Sequence, residues 1–91
     1  MTFEWDADKN AANLEKHGIS FEEASLIFEG SVLSWVDDRF DYGEERFVSI
    51  GLIQGIVAVV VVHTDRDGVS RLISARLANR SERRRYDEHQ R

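Results

Sequence analysis

Arginines near the C-terminus have the residue type and spacing needed to bind a phosphate group. Arg71 and Arg76 lie in the last strand-forming run of the chain, and Arg83 follows in a polar helical stretch. The guanidinium group is planar, stays charged at neutral pH and donates paired hydrogen bonds to phosphate oxygens. Side chains of a regular strand alternate between two faces, so Arg71 and Arg76 share a face only if a bulge interrupts the strand. We therefore expect at most one of the two to act in a catalytic site.

Glu82, Arg83 and Tyr86 follow these arginines at helical spacing. Together with Asn79 they form one stripe of the C-terminal helix, from which Glu82 and Tyr86 are able to buttress an arginine. Both also have a purely structural explanation, because Glu82 completes a capping box with Asn79 and Tyr86 packs on a sheet. The other arginines of this helix are expected to be solvated: Arg80, Arg84 and Arg85.

His17 is the best candidate for a group that titrates near neutral pH. It ends the first predicted helix beside Lys16, on a polar stripe with Lys9 and Asn13. The negative end of the helix dipole stabilises a histidine cation, which suits a general acid or a phosphate contact. The alternatives are a simple C-terminal cap and an ordinary solvated stripe.

His63 and Asp65, at the end of the most apolar strand, raise the question of a metal site. Metal ligation needs three or more converging side chains, and these residues are too few. The sequence also lacks a Gly-rich phosphate loop, a Gly-x-Ser-x-Gly turn and a His-Glu-x-x-His motif. We therefore expect neither a metal nor a cofactor.

The net charge of −5 is unevenly distributed along the chain. Residues 1–45 carry 12 acids and 3 bases, whereas residues 46–91 carry 5 acids and 9 bases, all of them arginine. Exclusive use of arginine favours an anion-binding surface, since lysine is the commoner choice for solubility alone. The alternative is a solvated C-terminal helix.

The elements that must position these residues are predicted in the order β-α-α-β-β-β-β-α. Asp6 caps a helix over Ala7–His17, and the capping box of Ser20 and Glu23 starts a second helix that stops at Gly30. The unbroken apolar run 56–62 predicts a central strand covered on both faces. The strands are predicted at Thr2–Trp5, Val32–Val36, Arg46–Ile53, Ile56–Thr64 and Ser70–Ala75, and Asn79 caps the last helix.

The composition limits the chain to one hydrophobic core. With 91 residues, 42% of them apolar, we expect a single α+β domain over residues 1–91. Its two N-terminal helices would pack on a small antiparallel sheet of four to five strands, followed by a C-terminal helix. The absence of cysteine and of a signal-peptide pattern predicts a cytoplasmic protein.

Short fragments in a specific order and spacing run through nearly the whole chain. They are Phe3-Glu4-Trp5-Asp6 with Lys9 and Asn13, Lys16-His17-Gly18, Phe21 with Glu22-Glu23-Ala24 and Phe28, Arg46 and Gly51, Arg71 with Ile73-Ser74-Ala75-Arg76, and Glu82-Arg83 with Tyr86. In this arrangement the chain resembles the BrnT toxins of bacterial type II toxin–antitoxin pairs. The resemblance implies a RelE-like fold and a ribonuclease that arrests translation. It also implies a BrnA-type ribbon-helix-helix antitoxin, with DNA contacted only through that partner.

A ribonuclease that uses no metal lets the 2′-hydroxyl of RNA attack the neighbouring phosphate. The reaction needs a base, a cation for the developing charge and an acid for the leaving oxygen. The candidates are His17 as acid or base with Lys16 as the alternative base, Arg46 and Arg76 for phosphate stabilisation, and Arg83 with Glu82 and Tyr86 for positioning the substrate.

Two other functions remain open at the level of sequence. A non-catalytic module would bind RNA or protein through the same arginines. A partner subunit would use an acidic surface, which also suits an antitoxin. The acidic residues concerned are Asp37, Asp38, Asp41, Glu44 and Glu45.

Overall fold

The computed structural model describes residues 2–39 and 43–90, which form one five-stranded sheet with helices on both faces. The elements are β1 (Thr2–Glu4), α1 (Ala7–His17), α2 (Phe21–Ala24), a 3₁₀ segment (Ser25–Glu29), β2 (Leu33–Asp37), β3 (Arg46–Ile53), β4 (Val57–Arg66), β5 (Val69–Leu77) and α3 (Arg80–His89). The predicted α+β class and element order are confirmed. The second helix differs in detail, because it is α-helical for one turn only. Ser25 Oγ donates to the carbonyl of Glu22 at 2.8 Å there, a local bond that competes with α-helical pairing.

The strands lie in the order β1-β5-β4-β3-β2. Strands β2 to β5 form an antiparallel meander, as predicted, while β1 pairs in parallel with β5. The sheet is therefore mixed, because the chain crosses from β1 at one edge to β2 at the other through α1 and α2. The most apolar strand, β4, lies in the centre, as its composition predicts.

Two tight turns fix the register of the meander. Gln54 and Gly55 have φ values of 54° and 71°, and Asp67 and Gly68 have φ values of 53° and 81°. Two successive residues with positive φ define type I′ turns, whose twist matches that of antiparallel strands. These turns connect β3 to β4 and β4 to β5, and so align the residues that face each other across the sheet.

Both faces of β4 are buried, in separate apolar clusters. On the first face, Val59 and Val61 pack against Phe21, Ala24 and Ile27 of the helical layer. The second-face cluster consists of Val48, Ile50, Val60 and Tyr86. Helix α3 therefore covers part of the second face, while α2 and the 3₁₀ segment cover the first.

Helix α1 attaches to the sheet through the side-chain amide of Asn13, a residue of the polar stripe for which solvation was one of the alternatives. Asn13 is buried, and its Nδ2 donates to the carbonyls of Ala75 at 2.8 Å and Ile19 at 3.0 Å. Its Oδ1 accepts from the N–H of Ala75 at 3.1 Å. The Asn13 side chain thus pairs with the outer edge of β5, beyond the residues that β1 covers. At Asn13, the predicted polar stripe of α1 therefore contacts the sheet rather than solvent.

Gly51 allows the helical layer to approach β3 closely, and we expect Gly51→Ala to destabilise the fold. A Cβ at this position would lie 2.7 Å from Ile27 Cβ and 3.0 Å from Val32 Cγ1. Overpacking of this kind costs about 1–3 kcal/mol of unfolding free energy. Chemical denaturation measures it, with Gly30→Ala as the matched control, since nothing lies within 4 Å of a Cβ there and its φ is −122°. Equal stability of the two variants would contradict this explanation.

Candidate active site

A bulge in β5 brings Arg71 and Arg76 to the same face of the sheet. Ser74 pairs with Val62, but Leu72 pairs with His63, so Ile73 has no partner on β4. The extra residue reverses the alternation and places both arginines on the second face. They still occupy different places: Arg71 forms an ion pair of 3.4 Å with Glu4 of β1, toward the other end of β5.

Beside α3, the second face forms a groove of about 360 Å³. Register pairs run across its floor from Trp35 to Val48, from Val48 to Val62, and from Val62 to Ser74. Arg76 lies in the adjacent row, opposite Val60. The floor is mainly apolar, and charged side chains stand at the sides: Asp37, Asp38, Arg39, Arg76 and Glu82.

Arg76 and Glu82 form the best-defined polar pair of the groove. Arg76 Nη1 donates to Glu82 Oε1 and Nη2 to Oε2, each at 2.8 Å, and 45% of the Arg76 side chain remains exposed. This bond raises the pKa of Arg76 and lowers that of the Glu82 carboxyl. Glu82 also completes the capping box of α3 with Asn79. Both explanations offered by the sequence therefore hold together: Glu82 starts the helix and holds an arginine.

Arg39 is a second arginine of the groove and was not among the predicted site residues. Its Nε and Nη2 donate to the buried carboxylate of Asp37 at 2.9 and 3.1 Å. The charge of Arg39 is close enough to Arg76 to oppose the rise in the pKa of Arg76. Arg46 is the register partner of Asp37, so it belongs to the same face, beside the groove. The sequence contains one signal for this part of the groove. Alternation along Leu33–Asp37 places Trp35 and Asp37 on the same face of the sheet, and Asp37 is the residue that binds Arg39.

Arg83 and Tyr86 hold α3 on the sheet in this structure. Tyr86 is buried, and its hydroxyl donates to the carbonyl of Ser31 at 2.9 Å. Arg83 donates to the carbonyl of Ile56 at 3.0 Å and to Asp87 at 3.1 Å. Neither side chain lines the groove with Arg76.

Lys16 and His17 lie on α1, beside the strand that carries Arg76. Asn13 bonds to Ala75, the neighbour of Arg76, and His17 follows Asn13 by one helical turn. His17 is half-buried and Lys16 is exposed. Neither side chain makes a hydrogen bond or ion pair within residues 2–39 and 43–90, and the catalytic roles of both residues remain predictions.

Arg85 was expected to be solvated, but it stacks on an aromatic ring. Its Cζ lies 4.3 Å from the ring centroid of Trp35, a cation–π contact between α3 and β2. Trp35 lines the groove. Neither residue belongs to the predicted site, because no sequence spacing relates an edge strand to a helix about 50 residues later.

His63 belongs to a buried polar network on the first face. Its Nε2 lies 2.8 Å from Ser49 Oγ and its Nδ1 lies 2.8 Å from Asp65 Oδ1, while Ser34 and Ser70 extend the chain of bonds at both ends. The order of groups is that of a serine hydrolase, but Ser49 is completely buried and out of reach of a substrate. The network satisfies polar groups across four strands. In the part of the chain that the structure describes, no three His, Cys, Asp or Glu residues converge on a possible metal site.

The acidic surface considered as a partner-binding site is only partly present as predicted. Asp37 is buried against Arg39, whereas Asp38, Glu44 and Glu45 are exposed. Asp41 lies outside the described residues.

The fold and groove define a small α+β protein with an arginine-bearing site on one face of its sheet. A family model described as "ribonuclease toxin, BrnT, of type II toxin-antitoxin system" matches residues 5–82, and the chain belongs to this family. The chain is also similar in fold to the 1.1 Å crystal structure of the Brucella abortus ribonuclease toxin BrnT. That match has a TM-score of 0.65 and 23% identity, and covers 88% of this chain and 99% of the other. Among curated proteins no match was found. The resemblance drawn from the sequence is confirmed.

None of the helices in the described residues is long and apolar enough to cross a membrane.

Proposed function

We propose that this protein is an endoribonuclease that cleaves RNA in the groove of the second face without a metal ion. The observation that carries the proposal is the half-exposed guanidinium of Arg76, held at the groove by two bonds of 2.8 Å to Glu82. These two bonds and a bond of 3.3 Å from Nη1 to the carbonyl of Leu77 use three of the five N–H groups of the guanidinium. The Nε–H and the second N–H of Nη2 are left on one edge of the same plane, and this edge is the pair offered to a phosphate. Family membership supplies the reaction class.

The arginines supply the positive charge that the reaction requires. Attack of the 2′-oxygen on phosphorus breaks the bond to the 5′-oxygen and leaves a 2′,3′-cyclic phosphate. Negative charge builds up on the phosphoryl oxygens during this step, and fixed donors stabilise it. In this scheme Arg76 provides such donors, and Arg39 across the groove and Arg46 beside it add positive charge. Glu82 acts as a positioning residue for Arg76.

His17 or Lys16 completes the proposed scheme as the acid or base. The 2′-hydroxyl must lose a proton and the leaving 5′-oxygen must gain one, and histidine titrates in the range that allows both. His17 lies at the β5 edge, one turn after the residue that bonds to Ala75. Substrate seated on Arg76 would bring the reacting phosphate toward this edge. Arg83 and Tyr86 contribute indirectly, by holding α3 and thus Glu82 in place.

In the cell, we expect this activity to act in the cytoplasm, to inhibit translation and to be neutralised by a BrnA-type antitoxin. The family is one of type II toxin–antitoxin systems, in which a protein antitoxin is the partner. Blocking the groove would be sufficient for neutralisation, because the proposed phosphate-binding arginines lie there. DNA would be contacted through the antitoxin alone.

One observation favours a non-catalytic RNA-binding or protein-binding module as the second candidate. No histidine of the described residues lines the groove: His17 is on α1, His63 is buried and His89 ends α3. A binding module needs the arginines but no group that titrates.

The two candidates are separated by incubating the purified protein with single-stranded RNA in excess chelator. The proposed enzyme produces fragments that end in a 2′,3′-cyclic phosphate, at an unchanged rate in chelator. It leaves an all-2′-O-methyl RNA intact, because that substrate lacks the nucleophile. Loss of cleavage in chelator would refute the metal-free scheme. Binding without any cleavage would establish the binding module.

A further inference from the structure

Trp35 places a large aromatic surface in the groove that holds Arg76. It lies on β2, an edge strand, and its side chain points to the second face in the same row as Val48, Val62 and Ser74. Strands β2 and β5 are separated by three strand spacings, or about 14 Å. The indole therefore faces the Arg76–Glu82 pair across an apolar floor.

The composition of the groove distinguishes two kinds of contact. Val48, Val60 and Val62 offer no hydrogen bonds, so the floor suits the flat apolar face of a nucleobase rather than a phosphate. The charged groups stand at the sides, where the strand's phosphates would lie. Proteins that bind single-stranded nucleic acid combine aromatic stacking surfaces with cationic backbone contacts in this way.

Arg85 gives the indole a further property. Its guanidinium carbon lies over one face of the Trp35 ring, 4.3 Å from the ring centroid, which fixes the ring against α3 and adds a positive charge there. A nucleobase would therefore stack on the opposite face of the indole. Arg85 is otherwise exposed, so this charge is accessible from the solvent. By contrast, the neighbouring Arg84 makes no ring contact or hydrogen bond within the described residues.

We propose that Trp35 is a base-stacking subsite, on which one nucleobase of the RNA stacks while Arg76 binds a neighbouring phosphate. Arg85 holds the indole in position and strengthens the attraction for the strand. This inference rests on the proposed function, because it assumes that RNA enters the groove. It assigns substrate positioning to Trp35 and no role in proton transfer.

The test uses an all-2′-O-methyl single-stranded RNA, so that binding is measured without cleavage. We expect Trp35→Ala to weaken binding about tenfold, within the range known for loss of one base–aromatic stack, and Trp35→Phe to retain most of the affinity. With cleavable RNA, Trp35→Ala should raise KM while kcat stays within about threefold. Bound RNA should quench the indole fluorescence of the wild type and leave that of Trp35→Phe, which retains only Trp5, unchanged.

Arg85→Ala and Arg84→Ala form a matched pair, since both remove one exposed charge from α3. We expect Arg85→Ala to weaken RNA binding more than Arg84→Ala.

Equal affinities of wild type and a folded Trp35→Ala protein would overturn the subsite, and would point to a protein partner for Trp35. If Trp35→Ala does not fold, the Trp35→Phe variant decides: RNA that quenches its fluorescence as strongly as that of the wild type would overturn the subsite. A wild type that binds no RNA would refute the proposed function as well, whereas loss of cleavage in Arg76→Ala with unchanged binding by Trp35→Ala would refute the subsite alone.

Discussion

Replacing Arg76 with alanine is expected to reduce RNA cleavage by about 10²–10³ in kcat, the loss found when one preorganised donor to a developing oxyanion is removed. Glu82 fixes the plane of the Arg76 guanidinium, whose Nε–H and second Nη2–H are left to donate to the phosphate. Alanine removes both the charge and the geometry. Single-turnover cleavage of a labelled RNA measures the effect, and growth arrest on expression of the variant should weaken in parallel.

Two further variants show whether the loss is specific to this guanidinium. Arg76→Lys keeps a charge but cannot form two parallel bonds, so its rate should fall between those of the wild type and the alanine variant. Arg80→Ala removes an equally cationic, exposed side chain from α3, and should cleave at the wild-type rate. Normal cleavage and growth arrest by a folded Arg76→Ala protein would refute the proposed catalytic scheme.

Local hydrogen-bonding signals made the helices predictable. Asp6 caps α1, Gly18 ends it with a φ of 75°, and complete capping boxes start α2 and α3 at Ser20 and Asn79. Each signal involves residues within four positions of one another, so one sequence is enough to detect it. The parallel pairing of β1 with β5 involves residues 67 positions apart, such as Thr2 and Val69, and no local rule determines it.

The residues of the candidate site were predictable only where their selection depends on residue type and local spacing. Arg76 and Glu82 were selected for their types and spacing, and the structure brings them together. Their relation to Arg71 depends on a bulge at Ile73, which carries none of the usual glycine signals. Trp35 and Arg39 were not predicted, because they line the groove only through the order of the strands in the sheet. That order puts β2 and β5 on opposite sides of the same groove. Contacts between distant elements therefore account for most of what the sequence did not show.

Asn13 shows that a polar residue in a helical stripe is not always solvated, because its side chain can bond to the backbone at the edge of a sheet. Charged and amide residues at helical spacing usually mark a solvated face. Here the N–H and C=O of Ala75, which point to the edge of β5, are a docking partner for an amide, which offers one acceptor and two donors on a single planar group. The same bond places α1, and therefore His17, beside the strand that carries Arg76.

Replacing Asn13 with alanine is expected to lower the free energy of unfolding by about 3 kcal/mol, because each buried backbone group left without a partner costs about 1–3 kcal/mol. The variant removes the partners of the N–H and C=O of Ala75 and of the carbonyl of Ile19. Asn13→Asp should be at least as destabilising, since a carboxylate would face two carbonyl oxygens and donate to neither. Urea denaturation measures both changes, and losses below about 1 kcal/mol would show that the amide bonds do not hold α1.

His17→Ala is the informative comparison, because His17 lies on the same side of α1 as Asn13 and its side chain makes no hydrogen bond in the described residues. Its effect on stability should be small, so any loss of cleavage would reflect chemistry rather than folding. Asn13→Ala, assayed well below its melting temperature, should lose cleavage only if the position of α1 matters to the reaction. Loss in both variants would support His17 as the acid or base, whereas full activity in both would remove α1 from the mechanism and leave proton transfer to groups of the groove itself.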